Sequence, residues 1–278
     1  MPVGAVVCRV SESSKVDLTR PLLAVSGFIL DANHPELRTL ELAQRFFERK
    51  VGERGATEEE VCTTLVWLAG ARVQLHNGKG AMHTLAHLRA RSRGRFKEVE
   101  NVAGLLEILL YHEMREARQG LARLELLRLE SPDPRTQVRL QALVHQLRGR
   151  FLSALGQLVP AGEQFDKALA VLNTGAAQLE DSAIRVEIFC DQAQNFHREG
   201  KADEALNTYA LAETAAKHIE FSLCAARCLR GRGNVHLSRK ENNDAIKNFK
   251  EALELYQRYD APYGNLRCSI NLGRAYYG

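Results

Sequence analysis

Prolines and aromatic residues are scarce in this 278-residue chain: 7 prolines, and 6% Phe, Trp and Tyr together. Few prolines leave helices uninterrupted, and the abundant Ala, Leu, Glu and Arg are strong helix formers. No stretch of period-two alternation is long enough to argue a sheet. No uninterrupted apolar run is long enough to span a bilayer. The opening "MPVGAVVCRVSESSK" lacks the basic region, long apolar core and cleavage site of a secretory signal. An excess of one charge is missing too. The 38 basic residues exceed the 34 acidic ones by only 4, and the two signs are interspersed, so direct nucleic-acid binding is not expected. Six cysteines (Cys8, Cys62, Cys190, Cys224, Cys228 and Cys268) are scattered along the chain, which suits buried thiols in a reducing cytoplasm better than a disulfide framework.

Catalytic patterns are missing as well. Gly78-Lys79-Gly80 lacks the flanking glycine spacing and the hydroxyl of a phosphate-binding loop, and no nucleophile elbow occurs. The carboxylates sit on polar helix faces, where they support salt pairs. His83 and His87 stand four apart near His76, but Thr84 occupies the place of the glutamate in the zinc protease motif. Cys224 and Cys228 are also four apart, without a matched second pair. The expectation is a non-enzyme with no metal and no cofactor.

What the chain does contain is a repeat. "GRFLSALGQLVPAGEQFDKAL" begins at Gly149, "AQNFHREGKADEALNTYALA" at Ala193, "GNVHLSRKENNDAIKNFKEAL" at Gly233, and a fourth copy, "GRAYYG", at Gly273. The opening small residues are separated by 44, 40 and 40 positions. Twelve residues after the first three of them comes Ala161, Ala205 or Ala245. Phe165, Tyr209 or Phe249 follows four later, and Ala168, Ala212 or Ala252 three beyond that. Intervals of four and three lie on one helical face, and two small residues around one ring let helices approach while the ring fills the gap. Breakers lie between the two helices of each copy: Gly156 and Pro160, then Gly200, then the polar run Lys240-Glu241-Asn242-Asn243. Each copy therefore reads as helix, turn, helix, and a fixed period of this length signals a stacked solenoid.

The signal weakens upstream. Ala117, Leu121 and Leu124 fall 44 residues before Ala161, Phe165 and Ala168, with a first helix expected around Val102 to Tyr111. The segment from Thr63 to Ala90 reads as helix, an Asn77-Gly78 turn, helix. Leu22 to Leu30 and Pro35 to Lys50 form a further expected pair. About six helix pairs and an unpaired final helix are predicted over residues 18–278, weak in 18–130 and clear in 135–278, with residues 1–17 loosely ordered.

The small residue of the first helix, the bulky residue three later (Leu152, Phe196, His236, Tyr276) and the small-aromatic-small set of the second helix resemble the tetratricopeptide repeat family, in a long-period bacterial-type array. The resemblance implies an all-α fold, a right-handed α–α superhelix of antiparallel helix pairs. Arg232 and Gln192 stand where that family usually has leucine, and Lys240 replaces its turn glycine.

In that family the first helices line a concave groove. Arg227, Arg230 and Asn234 share one helical face, as do Arg267, Asn271 and Arg274 in the next copy. Arg230, Asn234 and Asn271 fit the spacing of the family's carboxylate clamp, although lysine is usual where Arg230 stands. Arginine forks and asparagine amides suit a carboxylate or a peptide backbone. Glu187, Asp191, Gln194 and Arg198, then Gln146 and Arg150, occupy the preceding copies. The expected peptide groove thus comprises Arg150, Asp191, Gln194, Arg227, Arg230, Asn234, Arg267, Asn271 and Arg274, and becomes basic toward its C-terminal end. Arg89, Arg91, Arg93, Arg95 and Lys97 read as a solvated basic loop. The last helix carries Ile270, Leu272, Ala275 and Tyr276 without a following helix, which predicts a fragment of a longer protein or a homodimer edge. The functional expectation is a cytoplasmic, non-catalytic scaffold for a protein or peptide with an acidic end. The alternatives are the ligand- or peptide-sensing part of a bacterial transcriptional activator and a dimerising assembly subunit.

Overall fold

The computed structural model describes residues 40–173, 179–219 and 221–278. The expectations for residues 1–17 and for Leu22 to Leu30 lie outside that range. Twelve helices account for the regular structure among the described residues: α1 (Leu40–Val51), α2 (Glu58–Gln74), α3 (Gly78–Ser92), α4 (Lys97–Glu113), α5 (Ala117–Leu126), α6 (Pro134–Ala154), α7 (Leu158–Leu172), α8 (Leu179–Arg198), α9 (Ala202–His218), α10 (Ser222–Ser238), α11 (Asn242–Arg258) and α12 (Pro262–Tyr277). The pairs α2/α3, α4/α5, α6/α7, α8/α9 and α10/α11 stack in chain order, each helix packing on its sequence neighbours, and α12 packs on α11. The fold is an all-α solenoid. No described helix is long and apolar enough to cross a membrane.

Local chemistry sets the helix boundaries. Thr57 accepts a hydrogen bond from the Glu60 amide at 3.2 Å, and the Glu60 carboxylate accepts one from the Thr57 amide at 2.7 Å, a reciprocal cap for α2. Asn77 accepts from the Gly80 amide at 2.9 Å, and Asp133 from the Thr136 amide at 2.7 Å just before Pro134. Inside each pair the turn places one residue in the left-handed region, two positions before the second helix: His76 (φ 55°), Arg115 (62°), Gly156 (80°), Gly200 (81°) and Lys240 (62°).

That turn residue indexes the repeats. Counted from it, Ala81, Gly120, Ala161, Ala205 and Ala245 are equivalent, as are Leu85, Leu124, Phe165, Tyr209 and Phe249. One expectation is corrected here. Arg115 precedes Gly156 by 41 residues, not 44, so Gly120, Leu124 and Leu127 occupy the register assigned from sequence to Ala117, Leu121 and Leu124. Gly120 and Leu124 are buried, while Leu121 is only partly covered.

The rings of the C-terminal repeats are seated in notches. A Cβ added to Gly149 would lie 2.6 Å from the Phe165 ring, and one added to Gly233 would lie 2.6 Å from the Phe249 ring. Tyr209 and Tyr256 fill the corresponding hollows at Gly231 and Gly264 on the following helices. The two departures from leucine are also accounted for. Gln192 on α8 donates to Asp166 on α7 at 2.7 Å, and Arg232 on α10 donates to Glu213 on α9 at 2.8 Å. Both positions join neighbouring helices by polar bonds instead of apolar packing.

Candidate functional site

The first helices form the inner layer. A cavity of about 290 Å³ opens on their side of the array, and each first helix from α2 to α12 sends it a side chain: Val73 from α2, Glu113 from α4, Arg150 from α6, Asp191 from α8, Arg227 from α10 and Arg267 from α12. From the second helices only Phe165 and Tyr256 reach it. The stack curves far enough for its ends to meet. His76, in the α2–α3 turn, lies against Tyr263 of α12 with ring centroids 3.7 Å apart. His76 is also 3.1 Å from Glu113, which His112 approaches from the other side. Burial pushes the Glu113 carboxyl up, but the neighbouring His112 and His76 rings outweigh it and hold the group below the usual carboxylate range.

The floor of the cavity is an ion quartet drawn from three first helices. Arg150 contacts Asp191 at 2.6 Å and Glu187 at 3.1 Å, and Arg227 closes the square by pairing with both carboxylates from the other side. Gln146 donates to Asp191 at 2.7 Å. Glu187 and Asp191 are one helical turn apart on α8, so both face the same gap. Burial pushes Glu187 up. The same burial acts on Asp191, but Arg150, Arg227 and Gln146 outweigh it and hold that carboxyl low. Paired carboxylates keep Arg227 firmly protonated despite its enclosure.

Beside the quartet lie three buried thiols. Cys190 Sγ is 2.8 Å from Cys228 Sγ and 3.4 Å from Cys224 Sγ. Sequence spacing paired Cys224 with Cys228 and gave no reason to add a cysteine 34 residues upstream. The solenoid stagger brings it there, since α8 and α10 are neighbouring first helices.

The expected groove residues fall into distinct environments. Arg150, Asp191, Gln194, Arg227, Arg230 and Arg267 line the cavity together. Of these, Arg150, Asp191 and Arg227 are locked in the quartet. Arg230 lines the cavity with Tyr256, its Nε is buried without a hydrogen-bond partner, and it makes no ion pair among the described residues. Arg267 lies over the Tyr263 ring, 5.5 Å from its centroid, and likewise pairs with no described carboxylate. Asn234 and Asn271 hydrogen-bond each other at 2.8 Å across α10 and α12, and Arg274 is exposed outside the cavity lining. Sequence reading missed His76, His112, Glu113, Tyr256 and Tyr263, whose approach depends on the curvature of the whole stack.

The remaining constellations stay apart from the cavity. His83 and His87 are exposed on α3. The basic segment is partly neutralised: Arg89 pairs with Glu107, Arg91 with Glu58 at 2.7 Å, and Arg95 donates to the Arg91 carbonyl at 3.0 Å. Leu266, Ile270, Tyr276 and Tyr277 leave much of α12 exposed and apolar.

No protein-family model matches the chain, and the search of curated proteins returned no match. Among solved structures the chain is similar to a Signal Transduction ATPase with Numerous Domains (STAND) protein with a tetratricopeptide repeat sensor from Pyrococcus horikoshii, with 17% identity and a TM-score of 0.49 over 86% of this chain and 39% of that one. It is also similar to BtubC (BKLC) from P. vanneervenii, with 16% identity and a TM-score of 0.39 over 95% of this chain and 91% of that one. The chain thus spans about two fifths of the length of the first of these proteins.

Proposed function

We propose that the chain is a non-catalytic, tetratricopeptide-like scaffold that binds a cytoplasmic protein or peptide on its inner face and seats an acidic end of that partner in the cavity. The observation that supports this most is the charge left over after the internal pairs are made. Arg150 and Arg227 balance Glu187 and Asp191, and Glu113 lies between His76 and His112, while Arg198, Arg230 and Arg267 face the same cavity without a carboxylate partner among the described residues. A buried guanidinium Nε without an acceptor is costly, and an incoming carboxylate offers one. The quartet is the rigid floor, Gln194 and the Asn234–Asn271 amide pair offer further polar contacts along the first helices, and Arg274 extends the basic end outward.

A charge-assisted hydrogen bond contributes about 1.5–3 kcal/mol, roughly a 10- to 150-fold change in affinity. The test is fluorescence anisotropy with labelled acidic peptides bearing either a free or an amidated C-terminus. Arg230→Gln and Arg267→Gln should each weaken binding of the free-carboxylate peptide by about tenfold or more while circular dichroism stays unchanged. Equal binding of the amidated peptide, or no change in either variant, removes the carboxylate reading.

One feature favours a second reading, a sensing module of a regulatory protein. The cavity is small, about 290 Å³, and is spanned by the His76–Tyr263 contact that joins the two ends of the array. A small ligand entering beneath that contact would bear on both ends at once. A compact acidic molecule that binds as tightly as the peptide selects this reading.

A further inference from the structure

The triangle of thiols has the form of a ligand set. Cys224 and Cys228 are one turn apart on α10, so both project toward α8, and Cys190 meets them from there. All three sulfurs lie within 4.8 Å of one another, and all three residues are buried. Neither sulfur chemistry nor packing requires three thiols at one point. Isolated buried cysteines behave as small apolar residues, and a disulfide employs two and leaves the third without a role. No fourth His, Cys, Asp or Glu ligand joins the cluster among the described residues.

From this geometry we propose that Cys190, Cys224 and Cys228 form a three-coordinate thiolate site for a soft, monovalent metal ion, Cu(I). A metal–sulfur bond of about 2.3 Å around a central ion sets the sulfurs about 4 Å apart, so the thiols need to spread by about 1 Å. Thiolates select soft ions, and a structural zinc site takes four protein ligands, which the cluster does not provide. Binding forms three copper–sulfur bonds and releases the thiol protons to solvent, with no change of oxidation state. Arg227, adjacent to Cys228 in sequence, is anchored beside the cluster by the quartet. Entry is available because Cys224 lines the cavity. The solenoid thus carries a metal site directly beneath its inner surface.

The experiment is an anaerobic titration of the reduced 278-residue chain with Cu(I) held by a chromophoric chelator, followed by X-ray absorption at the copper edge. The expected result is one copper withdrawn per chain, with three sulfur neighbours. A Cys190→Ala/Cys224→Ala/Cys228→Ala variant should bind at least about a hundredfold more weakly, while Cys62→Ala and Cys268→Ala leave binding unchanged. The absorption spectrum of the unmodified chain decides the coordination even if the triple variant folds poorly. Copper left on the chelator, a two-sulfur spectrum, undiminished binding by a folded triple variant, or preferential capture of zinc with four ligands would each overturn the proposal.

Discussion

The two halves of the array reach the same architecture with different core chemistry. From α6 to α11 the second helices present Ala-aromatic-Ala, and the rings of Phe165 and Phe249 sit in the notches at Gly149 and Gly233. From α2 to α5 the equivalent positions are Ala81, Leu85 and Leu88, then Gly120, Leu124 and Leu127. Both halves keep the left-handed turn residue two positions before the second helix. Turn position therefore sets the stacking, while the ring-in-notch pairing is one of several ways to fill the space between helices. Volume-matched apolar sets substitute for one another provided that the total fills the gap.

The halves also differ in how they hold charge, and the largest expected effect lies there. The central quartet buries both carboxylates, with Glu187 7% and Asp191 5% exposed. In the N-terminal half Lys50 and Glu53, 31% and 46% exposed, pair at 2.9 Å. Removing one partner of a buried pair leaves an uncompensated charge and costs about 3–5 kcal/mol, whereas an exposed pair contributes about 1 kcal/mol or less. Arg227→Met should therefore lower stability to urea by several kcal/mol, and Lys50→Met should leave it nearly unchanged. Equal losses in the two variants would show that the quartet is no more buried in solution than a surface pair.

A middle-sized effect separates glycines that sequence alone treats as equivalent. Gly233 and Gly273 both open a copy of the repeat, yet a Cβ at Gly233 would lie 2.6 Å from the Phe249 ring, while one at Gly273 meets nothing within 4 Å. Overpacking costs about 1–3 kcal/mol, and replacing an unconstrained helical glycine by alanine stabilises by about 0.5–1 kcal/mol. Gly233→Ala should lower the thermal midpoint and Gly273→Ala should raise it slightly. A shift of the same sign in both would sever the link between the notch and the ring.

This difference also marks what could be read from the residues. The clear copies were legible because alanine, an aromatic and glycine recur in fixed order, and size matching leaves a visible trace in sequence. The upstream register was misread by three positions. Leucine replaces the aromatic there, and Arg115, not glycine, takes the turn conformation. Arg150, Asp191, Arg227, Arg230 and Arg267 do converge on one cavity. Their bonding was not found, because partners 36–45 residues apart meet only through the stagger between neighbouring first helices. Cys190 joined Cys224 and Cys228 by the same stagger.

The smallest expected effect tests the turn that unites the halves. A side chain in the left-handed conformation costs about 1–2 kcal/mol, which glycine avoids, although glycine also loses more freedom on folding. Lys240 and Arg115 are exposed there, so Lys240→Gly and Arg115→Gly should each stabilise by up to about 1 kcal/mol. His76 has the same backbone geometry but a different surrounding, since it bonds Glu113 and lies against Tyr263. His76→Gly gains the same backbone relief and loses the contact that joins the ends of the array, an aromatic contact contributing about 0.5–1.5 kcal/mol. Its net change should be near zero or negative, and small-angle scattering should show a more open particle. If His76→Gly stabilises as much as Lys240→Gly and the particle keeps its dimensions, then the two ends meet without holding each other, and the curvature comes from helix stacking alone.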